Sequence, residues 1–208
     1  MSKLLIIGAG GHGRVIADCA EASRQYCEIA FLDDSYPERE QNLAWPIIEK
    51  SSTWKSFKDE YSFALAIGNN QARLALYRAL DEANVHLPNI IHPAAIISSH
   101  SELGKGNVVF ANAVINPGSK IGNACIINTS ASVDHDCQLA DAVHISPGAH
   151  LAGSVKVGQC SWFGVSSSSV QAICIADNTQ IGAGAAVTKD TEANGLYVGV
   201  PARRIKDI

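Results

Sequence analysis

The chain has 208 residues, room for one or two domains, and 16 Lys and Arg against 20 Asp and Glu give it a net charge of −4. That balance argues against nucleic acid or an anionic membrane surface as the main partner, and no apolar run approaches the ~20 residues of a membrane span. The six cysteines are scattered without a CxxC pair, which fits reduced, structural thiols in a cytoplasmic protein rather than a disulfide framework.

Lys3 to Ile7 is a short apolar run. It is too short for the core of a signal peptide and reads as a buried first strand. GAGGHG follows from Gly8 to Gly13, and Arg14 to Ala22 carries apolar residues at helical spacing. Strand, glycine turn and helix open a nucleotide-binding βαβ unit. Glu28 to Leu32 is a second strand, ending in Asp33-Asp34. Ser35 to Lys58, with Pro37 and Pro46, reads as irregular. Phe63 to Ile67 is a third strand, followed by Gly68-Asn69-Asn70 and a helix over Gln71 to Ala83. The expected boundary lies near residue 88, giving a Rossmann-like nucleotide-binding domain over 1–88 and a second domain over 89–208.

Gly8, Gly10 and Gly13 match G-x-G-x-x-G, and Asp33 lies twenty residues beyond Gly13, the spacing of a dinucleotide fingerprint. Some 88 residues cannot hold two βαβαβ halves, so one mononucleotide half is the better reading. Gly10, Gly11 and His12 then face phosphate at a helix N-terminus. Asp33 or Asp34 suits the imide N–H of a nucleobase. Gly68, Asn69, Asn70 and Arg73 sit at another strand end and suit sugar or phosphate. A turn serving only strand–helix packing, and an Asn acting only as a helix N-cap, fit the same residues.

From Ile91 to about Glu192 the chain repeats every six residues. Seventeen first positions run from Ile91 to Val187 without a break in frame, and of these only Ser169 is not apolar. The fifth position is mostly small, as at Ala113, Ser119, Cys125, Ala131 and Cys137. Six fits neither a helical nor a simple hairpin period, but it fits a parallel β-solenoid with three flat faces of one hexad each. The aliphatic fills the interior, and the small fifth residue, also interior, is expected to allow the chain to turn the corner. One coil is three hexads, and the prism is roughly 25–30 Å long at strand spacing.

An interior filled with aliphatics puts any chemistry on the outside. His135, between Asp134 and Asp136, occupies the third hexad position and is expected to point outward. A neighbouring carboxylate raises an imidazole's basicity and fixes its tautomer, as a general base requires. Gly153 lies eighteen residues on and should sit one coil above His135, leaving a notch and an exposed N–H for an oxyanion. His144 and His150 share a hexad position on successive faces, so they diverge, and no metal site is expected.

GAGGHG, FLDD (31–34), AIGNN (66–70), IINTSASVDHDC (126–137), HISPGAHLAG (144–153) and GVPARR (199–204) follow one another in order. In this the whole chain resembles the sialic acid O-acetyltransferase-like family of hexapeptide-repeat acyltransferases. Within it the chain is most similar to the nucleotide-linked 4-amino-sugar N-acetyltransferases. The resemblance implies a left-handed coil, an N-terminal domain that holds a UDP- or dTDP-linked sugar, and acetyl-CoA as co-substrate. It implies His135 as the base, supported by Asp136. It places acetyl-CoA against His144 and the backbone near Gly153, Val165 and Ala183, in a groove between neighbouring prisms of a homotrimer. Arg203, Arg204 and Lys206 are candidates for CoA phosphates. An O-acetyltransferase acting on sialic acid or a polysaccharide shares the same base. A non-catalytic solenoid scaffold is the reading from another class, and the acid–His–acid order opposes it.

Overall fold

The computed structural model describes residues 2–208. The chain divides between Pro93 and Ala94 into two compact units, five residues beyond the boundary read from the sequence.

The first unit is built on a sheet. β1 (Ser2–Ile7), β2 (Tyr26–Leu32), β3 (Gln41–Asn42), β4 (Trp45–Glu49) and β5 (Tyr61–Leu65) take the order β3-β4-β2-β1-β5. β4, β2, β1 and β5 run parallel, and β3 pairs antiparallel with β4. Leu4 to Ile7, Phe31 and Phe63 are buried, as continuous apolar runs in a covered parallel sheet require. α1 (Gly11–Ser23) buries Gly13, Ile16, Ala17 and Ala20, one face at helical spacing. α2 is Asn70–Glu82.

The segment 35–58 is more regular than its sequence suggests. It holds the β3–β4 hairpin and a 3₁₀ helix over Ser51–Phe57. Pro46 looked like a breaker, yet β4 tolerates it because its outer partner is only the two-residue β3. Trp45 packs edge-on against Phe31, at 6.4 Å between ring centroids, and ties the hairpin to the sheet.

The second unit is a left-handed parallel β-helix. Its rungs are two-residue strands, and each pairs in parallel with the residues eighteen further on: Val114 with Ser132, Lys120 with Gln138, Ile126 with His144. Every first-position residue from Val109 to Val187 is buried, the polar Ser169 included. At each corner two neighbouring positions share the work. The small fifth residue points inward, and the fourth residue bends the chain. Asn112, Ala124, Ser130, Asp136, Ala142 and Ser154 all hold φ between 52° and 60°. These left-handed positions mostly lack glycine, and the ladder above and below each corner holds them.

Gly195–Val198 and Arg203–Asp207 form an antiparallel hairpin, and its first strand extends one sheet of the prism beyond Gln180–Ile181.

Candidate active site

The hexad after Val133 carries the candidate chemistry. Asp134 follows the strand, half-buried, and its side chain bonds along the ladder. Its Oδ1 accepts from the Asn116 side-chain amide at 2.8 Å and from the His135 N–H at 2.8 Å. These bonds, the His135 N–H first, hold its carboxyl below the usual range. Asp134 therefore anchors the backbone of the site.

His135 is exposed, and its Nδ1 lies 2.8 Å from Asp136 Oδ2. That bond is the largest cause of a raised imidazole pKa, with the charges of Asp134 and Asp136 adding to it. An ionised Asp136 can only accept, so Nδ1 carries the proton and Nε2 keeps its lone pair. Asp136 reaches the ring because it sits at the left-handed corner, with φ 60°.

Two glycines bracket this pair. A Cβ at Gly153 would stand 2.5 Å from His135 Cε1 and Nε2. A Cβ at Gly118, one coil below Asp136, would collide with Asp136 Oδ1. The expected notch at Gly153 is thus real, but the imidazole itself fills it. Gly153 is buried, so it does not present the exposed N–H that the spacing suggested.

His144 lies on the sheet that contains Ile126 and Trp162. Its ring is parallel to the Trp162 indole within 2°, at 5.6 Å between centroids, and Asn128 Nδ2 is 3.2 Å from its Nε2. His150 lies on the neighbouring sheet, hydrogen-bonded to Ser132, so the two histidines do diverge. Among the described residues no group of three or more His, Cys, Asp or Glu is placed to hold a metal. Val165 and Ala183 are exposed and eighteen residues apart, on the corner that follows the His144 sheet. His135 and Gly153 are on a different corner, after Val133 and Leu151. One prism therefore separates the expected donor residues along two edges. In the tail, Arg204 is paired with Glu192 at 2.6 Å and Asp207 at 2.7 Å, which leaves Arg203 and Lys206 as the more open cations.

In the first unit, the strand order makes the β1 and β5 ends the switch point, where such sheets take ligands. Gly8 and Gly13 serve packing: a Cβ at Gly8 would meet the Ala66 carbonyl oxygen at 2.8 Å, and Gly13 lies against Gly8 and Phe31. Gly10 and Gly68 have open space where a Cβ would be. Gly10 caps α1 without a side-chain bond, and the first turn holds no acid, so this N-terminus suits an anion. His12 follows Gly11 in that turn. Burial, then the Arg73 charge, push its pKa down to about 4, so it is neutral at pH 7.

Asp33 is spent on the loop. Its Oδ2 accepts from the Ala9 N–H at 2.6 Å, and its Oδ1 from Ser35 N–H and Oγ. Burial alone would raise its carboxyl pKa, but the bonds from Ser35 and Ala9 outweigh this and lower it. Asp34 is exposed, with one bond from the Ser51 N–H, and is the acid better placed to meet a base. Asn69 caps α2 through the Ala72 N–H. Arg73 has a different task from the ligand contact expected of it. It is 1% exposed, and its guanidinium donates to the Ile67 carbonyl and to Asn70 Oδ1. It shapes the 67–70 loop from beneath.

Sequence reasoning missed Asn42, Asn116, Gly118, Asn128 and Trp162. Asn42 is buried and donates to the Ala9 carbonyl at 2.9 Å, the second clamp on the glycine loop. Asn116, Gly118 and Trp162 stand eighteen residues from Asp134, Asp136 and His144. The arithmetic that found Gly153 points to them as well.

A family profile described as the PglD N-terminal domain matches residues 3–80. The acetyltransferase domain of PglB from Neisseria gonorrhoeae, solved with acetyl coenzyme A, is 38% identical over 98% of both chains, with a TM-score of 0.95. PerB from Caulobacter crescentus, solved with CoA and GDP-perosamine, is 34% identical over 99% of this chain and 98% of that one, with a TM-score of 0.92. A UDP-N-acetylbacillosamine N-acetyltransferase from Bacillus subtilis is 34% identical over 113 residues, 53% of this chain. That alignment spans about half the length of the curated relative, 52%.

Proposed function

Because the chain belongs to the hexapeptide-repeat nucleotide-sugar N-acetyltransferases, we propose that it moves the acetyl group of acetyl-CoA onto the 4-amino group of a nucleotide-linked amino-deoxy sugar. The observation that carries this reading is the His135–Asp136 pair on the outside of the prism, fitted beneath Gly153. Two solved relatives carry acetyl coenzyme A, or CoA and GDP-perosamine. The first unit supplies the sugar-nucleotide site, with the diphosphate at Gly10 and Gly11 and the base beside Asp34.

His135 Nε2 takes a proton from the amine as nitrogen attacks the thioester carbonyl carbon. The tetrahedral intermediate collapses, the C–S bond breaks, and CoA leaves as the thiolate. Asp136 holds Nδ1–H throughout and stabilises the imidazolium. General-base assistance of this kind supplies about 10²–10⁴-fold, and positioning much of the remainder.

The separation of the edges supports a homotrimer. Each prism carries its base on one edge and Val165 and Ala183 on another, so a groove between neighbouring prisms joins the two sets. Val165 is 51% exposed, an apolar surface that such a groove would cover. All six cysteines lie outside disulfides, which suits a reducing, cytoplasmic compartment.

The test is incubation with acetyl-CoA and UDP-, dTDP- and GDP-linked 4-amino sugars, read by thiol release and by the acetyl linkage in the product. Thiol release with at least one sugar, and a base-stable amide, is expected. No release with any of them removes the reading, and a base-labile ester makes the protein an O-acetyltransferase. A sedimentation mass near that of the 22.0 kDa monomer at micromolar concentration would contradict the trimer.

A further inference from the structure

His135 and Asp136 are neighbours in sequence, and neighbouring side chains on an extended chain point to opposite sides. They meet at 2.8 Å because Asp136 takes the left-handed corner, with φ 60°. The pair is only as well placed as that corner. The backbone ladder holds the corner's middle. The Asp136 N–H donates to the Pro117 carbonyl one coil below, and the His135 carbonyl accepts from the Ser154 N–H one coil above. One side chain inside the prism holds its two ends. The fully buried Ser119 hydroxyl donates to the Asp134 carbonyl at 2.6 Å and accepts from the Cys137 N–H at 3.1 Å. The residues between those two bonds are His135 and Asp136.

A corner folds without such a hydroxyl. Ala113 and Ala149 occupy the same hexad position, fully buried, and the corners one coil above them still hold Ser130 and Ser166 at φ 56° and 55°. Ser161 repeats the Ser119 arrangement at a corner with no part in the candidate site. It donates to the Ala176 carbonyl at 2.7 Å and accepts from the Thr179 N–H at 3.0 Å. On the edge that carries the base, the bonding continues upward. The Cys137 thiol donates to the Ala152 carbonyl at 3.2 Å, at the start of the corner that sets Gly153 over the imidazole.

We propose that Ser119 is a positioning residue for the base: from inside the prism, its hydroxyl ties the two ends of the corner that carries His135 and Asp136, and so holds imidazole and carboxylate at bonding distance. This deepens the reading of His135 as general base and rests on it. A buried hydroxyl that donates and accepts at once fixes the separation of the groups it bridges. Without it the corner keeps its fold but gains play, and a hydrogen bond weakens steeply with misalignment. The charged groups acting on the ring are Asp134 and Asp136. A looser corner should therefore reduce the basicity that Asp136 confers.

The experiment compares Ser119→Ala with Ser161→Ala, in kinetics and in an NMR titration of the His135 ring. Both variants lose a buried hydroxyl with the same two bonds, so both should melt earlier. Only Ser119→Ala should lower kcat, by about tenfold at saturating acetyl-CoA and sugar nucleotide, with each KM within about twofold of the parent. In that variant the His135 pKa and the acidic limb of kcat should both move to lower pH. Ser119→Cys offers a thiol, which Cys125 shows can reach the matching carbonyl, that of Ala140, at 3.2 Å. It should recover kcat to within about threefold of the parent. Three results each overturn the proposal: an unmoved His135 pKa in Ser119→Ala, a kcat there within about twofold of the parent, or an equal fall of kcat in Ser161→Ala. His135→Ala separates the two levels. If it stays within about threefold of parental activity, the base reading itself fails, whereas the titration of Ser119→Ala reads the positioning without any substrate.

Discussion

Gly153 lies directly over the imidazole of His135, so close that a methyl group at residue 153 would stand 2.5 Å from Nε2, the atom proposed to take the proton. Gly153 has no left-handed backbone to preserve, so alanine suits its conformation and only the ring is in the way. Gly153→Ala should push the imidazole off Asp136 and lower kcat by about 10²–10⁴-fold. The thermal midpoint should move by no more than about 4 °C, the scale of ~1 kcal/mol for a chain of this size. A variant with parental kcat would show that the ring position does not matter.

The acid beside the base predicts a pH effect with a definite sign. Asp136 raises the His135 pKa, and the base works only when deprotonated, so the acidic limb of kcat follows that pKa. Asp136→Asn removes the charge, lowers the pKa and moves the limb to lower pH, with a smaller loss of kcat than His135→Ala. His135→Ala should cost about 10²–10⁴-fold in kcat at saturating substrates. A limb that moves upward in Asp136→Asn, or activity within about threefold of the parent in His135→Ala, contradicts the assignment.

His12 should make the nucleotide unit acid-sensitive. Its folded pKa is lowered from 6.5 to about 4, so between those values the unfolded chain binds a proton that the folded chain refuses. Stability contributed by the neutral ring is complete above pH 6.5 and is lost as pH falls toward 4. At pH 5 the loss should be about 1–2 kcal/mol. Urea unfolding at pH 7.5 and pH 5 should show this slope in the parent and not in His12→Asn. Equal losses in both proteins would place the sensitivity elsewhere.

The clamps on the glycine loop should act on binding. Asn42→Ala leaves the buried Ala9 carbonyl without its donor, at a cost of about 1–3 kcal/mol. Asp33→Asn weakens the other side of the same residue. Both variants, and Asp34→Ala, should raise KM for the sugar nucleotide while leaving kcat at saturation nearly unchanged. A kcat that collapses with KM unmoved would assign these residues to the chemistry instead.

The β-helix was legible because burial repeats with the chain. An aliphatic every six residues needs no partner from elsewhere to be understood, and the buried row from Val109 to Val187 follows it. His135, Asp136 and Gly153 were legible for the same reason: eighteen residues of sequence is one step of ladder. Residues whose partners come from unrelated positions were not. Asn42 reaches Ala9 across the sheet order, and Arg73 was read by its charge although its guanidinium faces backbone carbonyls. The left-handed fourth residue of each corner was not legible, because αL geometry leaves little trace in composition when ladders, rather than glycines, impose it. Pro46 misled because its cost depends on which neighbour its strand has.

The register of the prism also acts as a ruler for insertions and deletions. Eighteen residues carry a side chain one rung along the axis, about 4.8 Å, and return it to the same edge. Six residues carry it to a different edge. Loss or gain of eighteen residues beyond Ser154 would shorten or lengthen the prism without disturbing the Asn116–Asp134 and Asp136–His135 contacts. Loss of six would swing everything that follows by a third of a turn, and Trp162 would leave its place over His144. Such a scaffold can vary its reach along the axis in whole turns while its chemistry stays where it is.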